Sequence, residues 1–346
     1  MINFLSKLLL LLLLPLPFSY AQLVPIDDIG MSEATGQAFI AIDQRTEGSI
    51  DFTKVSLGID AEMLINADLV EFGEYARSGE SLGSDIRLEN FALGEVLSDG
   101  TIAPFKIKDP FIELAFEKNS DGSGGIQQDL VGIRLGFGKA KGAFTADIKS
   151  LSGKLEIALE GSLQPIKDTA TGIAWLATRF MSGNTQVKST AVLVDEVGIP
   201  DGIRAHLIGV PKGTAIECAG SGSCGLAGLL QYFTAGEGFS SSCHILGIGV
   251  CYELSTYRTL EIGDNIGRDS DGNILRTANG GVASADYSDG LFLSFQSKAI
   301  EWTDSDVITH DGGFLNIPEG GIQVNFEQAL HGTDRQRTRY IDPYFN

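Results

Sequence analysis

From Val55 to Leu69 every odd-numbered position carries an apolar side chain: Val55, Leu57, Ile59, Ala61, Met63, Ile65, Ala67 and Leu69. The positions between them are Ser56, Gly58, Asp60, Glu62, Leu64, Asn66 and Asp68, so Leu64 alone breaks the pattern. A period of two puts one set of side chains on a buried face and the other in water, as in a strand of a half-buried sheet. At about 3.3 Å per residue the run would extend about 50 Å. Ordinary strands have about five or six residues. The run therefore predicts either an unusually long strand or one bent partway along.

The pattern recurs. Ile112, Leu114 and Phe116 alternate with Glu113 and Glu117, and Val131, Ile133, Leu135 and Phe137 alternate with Gly132, Arg134, Gly136 and Gly138. Phe144–Ile148, Leu155–Leu159, Leu291–Phe295 and Ile322–Phe326 repeat it. Turn formers separate the runs: Asn119 to Gly125, Ser152-Gly153, Asp271-Gly-Asn273 and Asp311-Gly-Gly313. The expected fold is all-β: an elongated antiparallel meander forming a curved sheet or sandwich, with one or two short helices. The first helix is expected within Asp168–Met181, capped by Asp168 or Thr169. Its Ile173, Trp175, Leu176 and Phe180 form a candidate ligand or partner face, against the plainer reading of a packing helix. Leu226 to Phe233 is the second candidate helix. The expected organisation is a signal peptide over 1–21, an N-terminal β-sheet region over 22–160 and a C-terminal β region over 161–346, or one continuous domain over the last two.

Lys7, the apolar run Leu8–Leu14, Pro15 and Pro17, and Ser19-Tyr20-Ala21 read as a secretory leader cleaved after Ala21. The apolar stretch is short of the roughly 20 residues a spanning helix needs. The chain carries 25 Lys+Arg against 45 Asp+Glu, a net charge of −20, a field that repels nucleic acid and anionic headgroups. Cys218, Cys224, Cys243 and Cys251 lie in one segment, 218–251. In an exported chain they predict two disulfides, with local and nested pairings both open. The competing zinc reading lacks the usual close Cys spacing.

No Ser stands between glycines as in a hydrolase elbow, and the four His residues show no paired ligand spacing. No phosphate-binding loop is present, and the chain is expected not to be an enzyme. The one metal signal is calcium. Asp264, Asp269, Asp271 and Asn273 offer oxygens at close spacing, although the helical calcium loop would need Glu where Gly280 stands. Plain turn formation competes with it. Asn119, Asp121 and Ser123 form a weaker copy, and otherwise no cofactor is expected.

The stretch Leu23-Val-Pro-Ile-Asp-Asp-Ile-Gly-Met-Ser-Glu-Ala-Thr-Gly-Gln37, running into Phe39–Ile42, resembles the opening of exported β-rich proteins of Gram-negative gammaproteobacteria, some labelled pilus-assembly or haem-utilisation proteins. Lys108–Glu113, Val131–Gly138 and Asp147–Gly153 are similar to them too. The resemblance covers about the first 160 residues. It implies an envelope or surface location (periplasm, outer membrane or cell surface) and assigns no catalytic residue. Two roles follow as expectations. One is an adhesin-like or filament-associated structural protein whose partners are envelope or surface proteins, or further copies of itself. The other is a carrier of a lipid or other hydrophobic small molecule on an apolar sheet face. An outer-membrane barrel would alternate as well, but 8 Tyr and 2 Trp are few for two aromatic girdles.

Overall fold

The computed structural model describes residues 39–339, apart from 78–80, 121–125, 220–223, 238–241, 304, 306, 318 and 319. The leader, the motif at 23–37 and most of the turn at 119–125 lie outside the described residues. In chain order the strands begin with β1 (Ile40–Glu47), β2 (Ile50–Leu57), β3 (Asp60–Met63), β4 (Ile65–Ala76) and β5 (Leu82–Leu93). The short pair β6 (Glu95–Val96) and β7 (Ile102–Ala103) precedes the long β8 (Phe105–Ser120), β9 (Ile126–Leu151) and β10 (Gly153–Ser162). After two short helices come β11 (Gln186–Val194), β12 (Leu207–Gly209), β13 (Glu217–Cys218), β14 (His244–Ile245), β15 (Ile248–Gly249), β16 (Cys251–Glu253) and β17 (Thr259–Ile262). The last are β18 (Ser288–Asp289), β19 (Phe292–Gln296), β20 (Ile300–Glu301), β21 (Ile308–Thr309), β22 (Gly312–Ile317) and β23 (Gln323–Val324). Among the described residues the fold is mostly β, 55% strand and 11% helix, as the alternation predicts.

The run at 55–69 is bent and broken. β2 stops at Leu57 and pairs with β8 over Ile50–Ser56, and β3 pairs with the start of β8, Asp60 opposite Lys108. At Leu64 the chain changes partner, and β4 pairs with β5 instead. The one residue that breaks the alternation thus marks where the chain leaves one part of the sheet for another. Beyond it the phase inverts: Ile65 and Leu69 are exposed, while Val70 and Phe72 pack against the core.

β9 makes a parallel change. Up to Lys141 it pairs with β8, and from Phe144 onward with β5. Gly142 sits between, at φ +129°, where a Cβ would press within 3.1 Å of Phe105. On its other edge β9 receives β19, β18 and β17 in turn. The turn expected at Ser152-Gly153 is absent: the strand is only interrupted there, and the chain goes on in the same direction as β10, which pairs antiparallel with β11 but parallel with β22 and β23. The sheet is therefore mixed rather than a pure antiparallel meander. Among the described residues it does not close into a barrel, because β1 pairs with β2 alone.

The main core gathers Ile86 and Leu88 of β5, Phe144 to Ile148 of β9, Leu155, Ile157 and Leu159 of β10, and Val187 to Leu193 of β11. A second core of Phe52, Ala115, Val131, Ile300 and Trp302 lies under the β20–β21 hairpin. The alternation expected to run through Ile322–Phe326 ends early. Asn325 caps a helix, Phe326–His331, by accepting from the Gln328 N–H while the Gln328 side chain accepts from the Asn325 N–H. Asn followed three residues later by Gln is a helix-start signature, and it outranks the strand period here.

Candidate interaction site

The glycines of Val131–Gly138 open one face of the sheet to packing. A Cβ on Gly132 would meet Ile300 and Trp302, and one on Gly136 would lie 2.3 Å from the Phe111 ring. On this face the buried Glu113 pairs with Arg134, Thr303 donates its hydroxyl to Glu113, and the Arg134 guanidinium lies 5.3 Å from the Trp302 ring. Ile300, Trp302 and Thr303 thus cover this side.

The opposite face carries the alternating apolar set. Residues directly opposite in antiparallel strands share a face. Ile42 stands opposite Val55, Val55 opposite Ile112, Ile112 opposite Leu135, Leu135 opposite Leu293, and Leu293 opposite Leu315. This apolar row crosses six strands. Its inner end is half-covered where Phe72 of β4 meets Phe295, ring centroids 5.2 Å apart. Its outer end is open, with Ile42 67% exposed and Ile40 beside it 58% exposed.

The row ends on β1, all eight residues of which are exposed. Among the described residues nothing pairs with its far side. Gly58 donates to the Phe39 carbonyl, and the β1–β2 register then makes residues 41, 43, 45 and 47 the hydrogen-bonded positions. Ile40, Ile42, Gln44 and Thr46 consequently turn N–H and C=O outward.

The predicted helix at 168–181 is two, Gln164–Thr169 and Gly172–Thr178. Ala174 and Thr178 are buried, whereas Trp175, Leu176 and Phe180 face out, Phe180 at 71% exposure. The Arg179 guanidinium lies 4.7 Å from the Trp175 ring. The side chain of Ile173 lies outside the described residues. The second helix expected at Leu226 to Phe233 is a 3₁₀ helix, Gly225–Tyr232. Its three-residue period stacks Leu226, Leu229 and Tyr232 on one exposed ridge and buries Ala227 and Leu230. Sequence reading missed that ridge; a period of three rather than 3.6 was its signal.

The disulfides are the local ones, Cys218–Cys224 and Cys243–Cys251. The first ties β13 to the 3₁₀ helix, and the second closes the β14–β15 hairpin. Both fit an oxidising environment. Among the described residues no helix is long and apolar enough to cross a membrane.

Of the calcium candidates, the Asp269 and Asn273 side chains hold a turn. Asp269 Oδ1 accepts from the Asp271 and Asn273 N–H groups at 2.9 Å, and its Oδ2 accepts from Asn273 Nδ2 at 3.1 Å. The Asn273 side chain foremost, with these backbone donors, holds the Asp269 carboxyl below its ordinary value. Asp264 pairs through its backbone with Asp286 instead. Among the described residues no three His, Cys, Asp or Glu groups converge to hold a metal. His310 is tied into its turn, with Nδ1 2.8 Å from the Asp311 carbonyl and Nε2 3.1 Å from that of Gly202.

A cleft of about 800 Å³ lies between β9 and the 264–286 segment, lined by Glu95, Lys106, Lys141, Glu261 and Asn279 among others. Arg276 bridges its carboxylates, 3.6 Å from Glu95 and 2.9 Å from Glu261. Burial pushes Glu95 up to about 7, the Glu261 charge adds to this, and Arg276 opposes it. Burial raises Glu261 as well. Glu95 can hold and release a proton near neutrality. Only a charge inside the apolar Leu260-Glu261-Ile262 run hinted at it, since tertiary pairing alone brings Glu95 near.

Comparison with known proteins finds no matching family model, no matching curated protein and no matching solved structure.

Proposed function

We propose that the protein is a non-enzymatic interaction protein of the cell envelope or surface, adhesin-like or filament-associated, that associates through the β1 edge. One observation carries the reading: β1 is an eight-residue edge strand, exposed along its whole length, pairing on one side only among the described residues. An outward row of N–H and C=O groups accepts a strand from another chain. The apolar row ending at Ile42 adds contact area beside that backbone pairing. The two disulfides and the likeness of the N-terminal stretch to exported β-rich proteins support the location.

Ile42→Pro tests it. Proline removes an outward donor while leaving the β1–β2 bonds in place. The secreted chain is expected to form concentration-dependent oligomers in native mass spectrometry, and Ile42→Pro to remain monomeric with unchanged circular dichroism. Oligomers unaffected by Ile42→Pro would overturn the edge reading. A second reading, a carrier for a hydrophobic molecule, is favoured by the open apolar row alone. A monomer that retains lipid in the same experiment would select it.

A further inference from the structure

Charge alternates across the sheet on the face opposite the apolar row. Arg134 of β9 stands opposite Glu113 of β8, Glu113 opposite Lys54 of β2, and Lys54 opposite Asp43 of β1. The row runs positive, negative, positive, negative from the buried pair to the rim, and it ends on a carboxylate whose side chain is 61% exposed. A further strand would continue the alternation by setting a cation opposite Asp43. β1 carries such a cation itself. Arg45 lies two residues along on the same face, its Nη2 3.6 Å from Asp43 Oδ2. A strand with an acid and a base two residues apart complements an antiparallel copy of itself.

The edge leaves few registers for such a copy. Ile40, Ile42, Gln44 and Thr46 turn their N–H and C=O groups outward, so each must face one of the same set, and a two-fold axis then falls on a residue of β1. An axis at Asp43 sets Asp43 against its own copy. An axis at Arg45 sets Arg45 against Arg45 and Asp43 against Glu47. An axis at Ile42 leaves Asp43 facing Ala41 and needs Phe39, which precedes β1, to meet Arg45. An axis at Thr46 runs the ladder into the turn at Gly48-Ser49. An in-register parallel pairing would stand Asp43 beside Asp43 and Arg45 beside Arg45. An axis at Gln44 has none of these faults. Ile42, Gln44 and Thr46 then exchange backbone bonds with Thr46, Gln44 and Ile42 of the second copy. Asp43 faces Arg45 of the second copy, and Arg45 faces its Asp43, at the closer, non-hydrogen-bonded positions.

Exposed ion pairs stabilise little by themselves. The backbone ladder supplies the attraction, and the charges select the register. The chain's net charge of −20 does not forbid the contact. On this face of β1 and β2, Asp43 and Glu47 are balanced by Arg45 and Lys54, and charge farther off is screened beyond about 8 Å at physiological salt.

We propose that the partner of the β1 edge is a second copy of this chain, paired antiparallel about a two-fold axis at Gln44, with Asp43 of each copy against Arg45 of the other. The proposal rests on the edge reading above and narrows it: the contact uses the open side of β1 in both copies, so it closes at two.

Sedimentation velocity and native mass spectrometry of the secreted chain, leader removed, test it. The parent chain is expected to show a monomer–dimer equilibrium with nothing larger, and Ile42→Pro to be monomeric. Asp43→Arg and Arg45→Asp each set like charges against each other in both halves of the interface. Each should raise the dimer dissociation constant at least about tenfold. Both positions are exposed, and circular dichroism should be unchanged. An equimolar mixture of the two variants restores opposite charges throughout, so its dimers should be mixed ones, resolved by mass. A dimer that Ile42→Pro abolishes but neither charge variant weakens would overturn this register and leave the edge reading standing. An oligomer indifferent to Ile42→Pro would overturn both. A parent chain that stays monomeric would overturn the proposal and leave the edge to an unlike chain, and assembly beyond dimers would overturn the closed pair.

Discussion

Glu113 and Arg134 are the most committed charges in the molecule. Glu113 is fully buried, and Arg134 is held between it, the Thr303 carbonyl at 2.7 Å and three aromatic rings. Removing one partner of a buried pair leaves the other charge uncompensated, which costs about 3–5 kcal/mol. Glu113→Gln is therefore expected to lower the unfolding free energy measured in urea by an amount of that order. Replacing both residues by Met should cost less than Glu113→Gln alone, a sign that the loss comes from the stranded charge. Both residues were visible in the sequence as the polar members of alternating runs, but alternation put them toward water. They face inward because Trp302 and its hairpin cover what two strands alone would leave open. Leu64 shows the reverse case: a single out-of-phase residue was legible as a defect, and the defect is where the strand changes partners.

Among the elements, the junction of β9 and β10 carries the heaviest constraint. Gly153 sits at φ +155°, and a Cβ there would lie 1.9 Å from the Leu315 carbonyl oxygen. It stands opposite Leu315 in the parallel pairing of β10 with β22. Gly153→Ala must displace one of those strands, and a loss of more than about 3 kcal/mol is expected in denaturant unfolding. Gly48→Ala, a left-handed position with nothing near its Cβ, should cost about 1 kcal/mol or less. The alternation made β8, β9 and β10 readable as strands, but Ser152-Gly153, which reads as a turn, is only an interruption between two strands that run the same way. The alternation did not reveal that β10 would take parallel partners from the far end of the chain. A periodic pattern records which face is buried, not which neighbour buries it. The helix at Phe326–His331 was hidden for a related reason: Ile322, Val324 and Phe326 satisfy a period of two, and only the Asn325 cap breaks the tie.

The whole molecule responds to pH through opposed groups. Glu95 has its folded value raised from 4.5 to about 7, so the folded chain holds that proton more tightly than the unfolded one. Its contribution is complete below the ordinary carboxylate value and is lost as pH rises through about 7, by up to roughly 3 kcal/mol. Asp147, held low by Asn90 and Arg335 against the effect of burial, and Asp51, held low foremost by Lys118, act in the other direction. Their contributions are present above the ordinary value and are lost as pH falls below it. Thermal unfolding should accordingly peak in mildly acidic solution, and Glu95→Gln should flatten the decline between pH 4.5 and 7. A decline of the same size in that variant would assign the effect to other groups.

One strand, β9, runs unbroken from the pairing with β8 to the pairing with β5. A tug on the rim at β1 reaches β9 across the ladders of β1 with β2, β2 with β8 and β8 with β9, and β9 carries it on to the β5 side along covalent backbone. Its load falls on ladders stretched lengthwise, where many bonds must yield at once, and a chain fastened to its neighbours by that rim would bear tension before it unravelled.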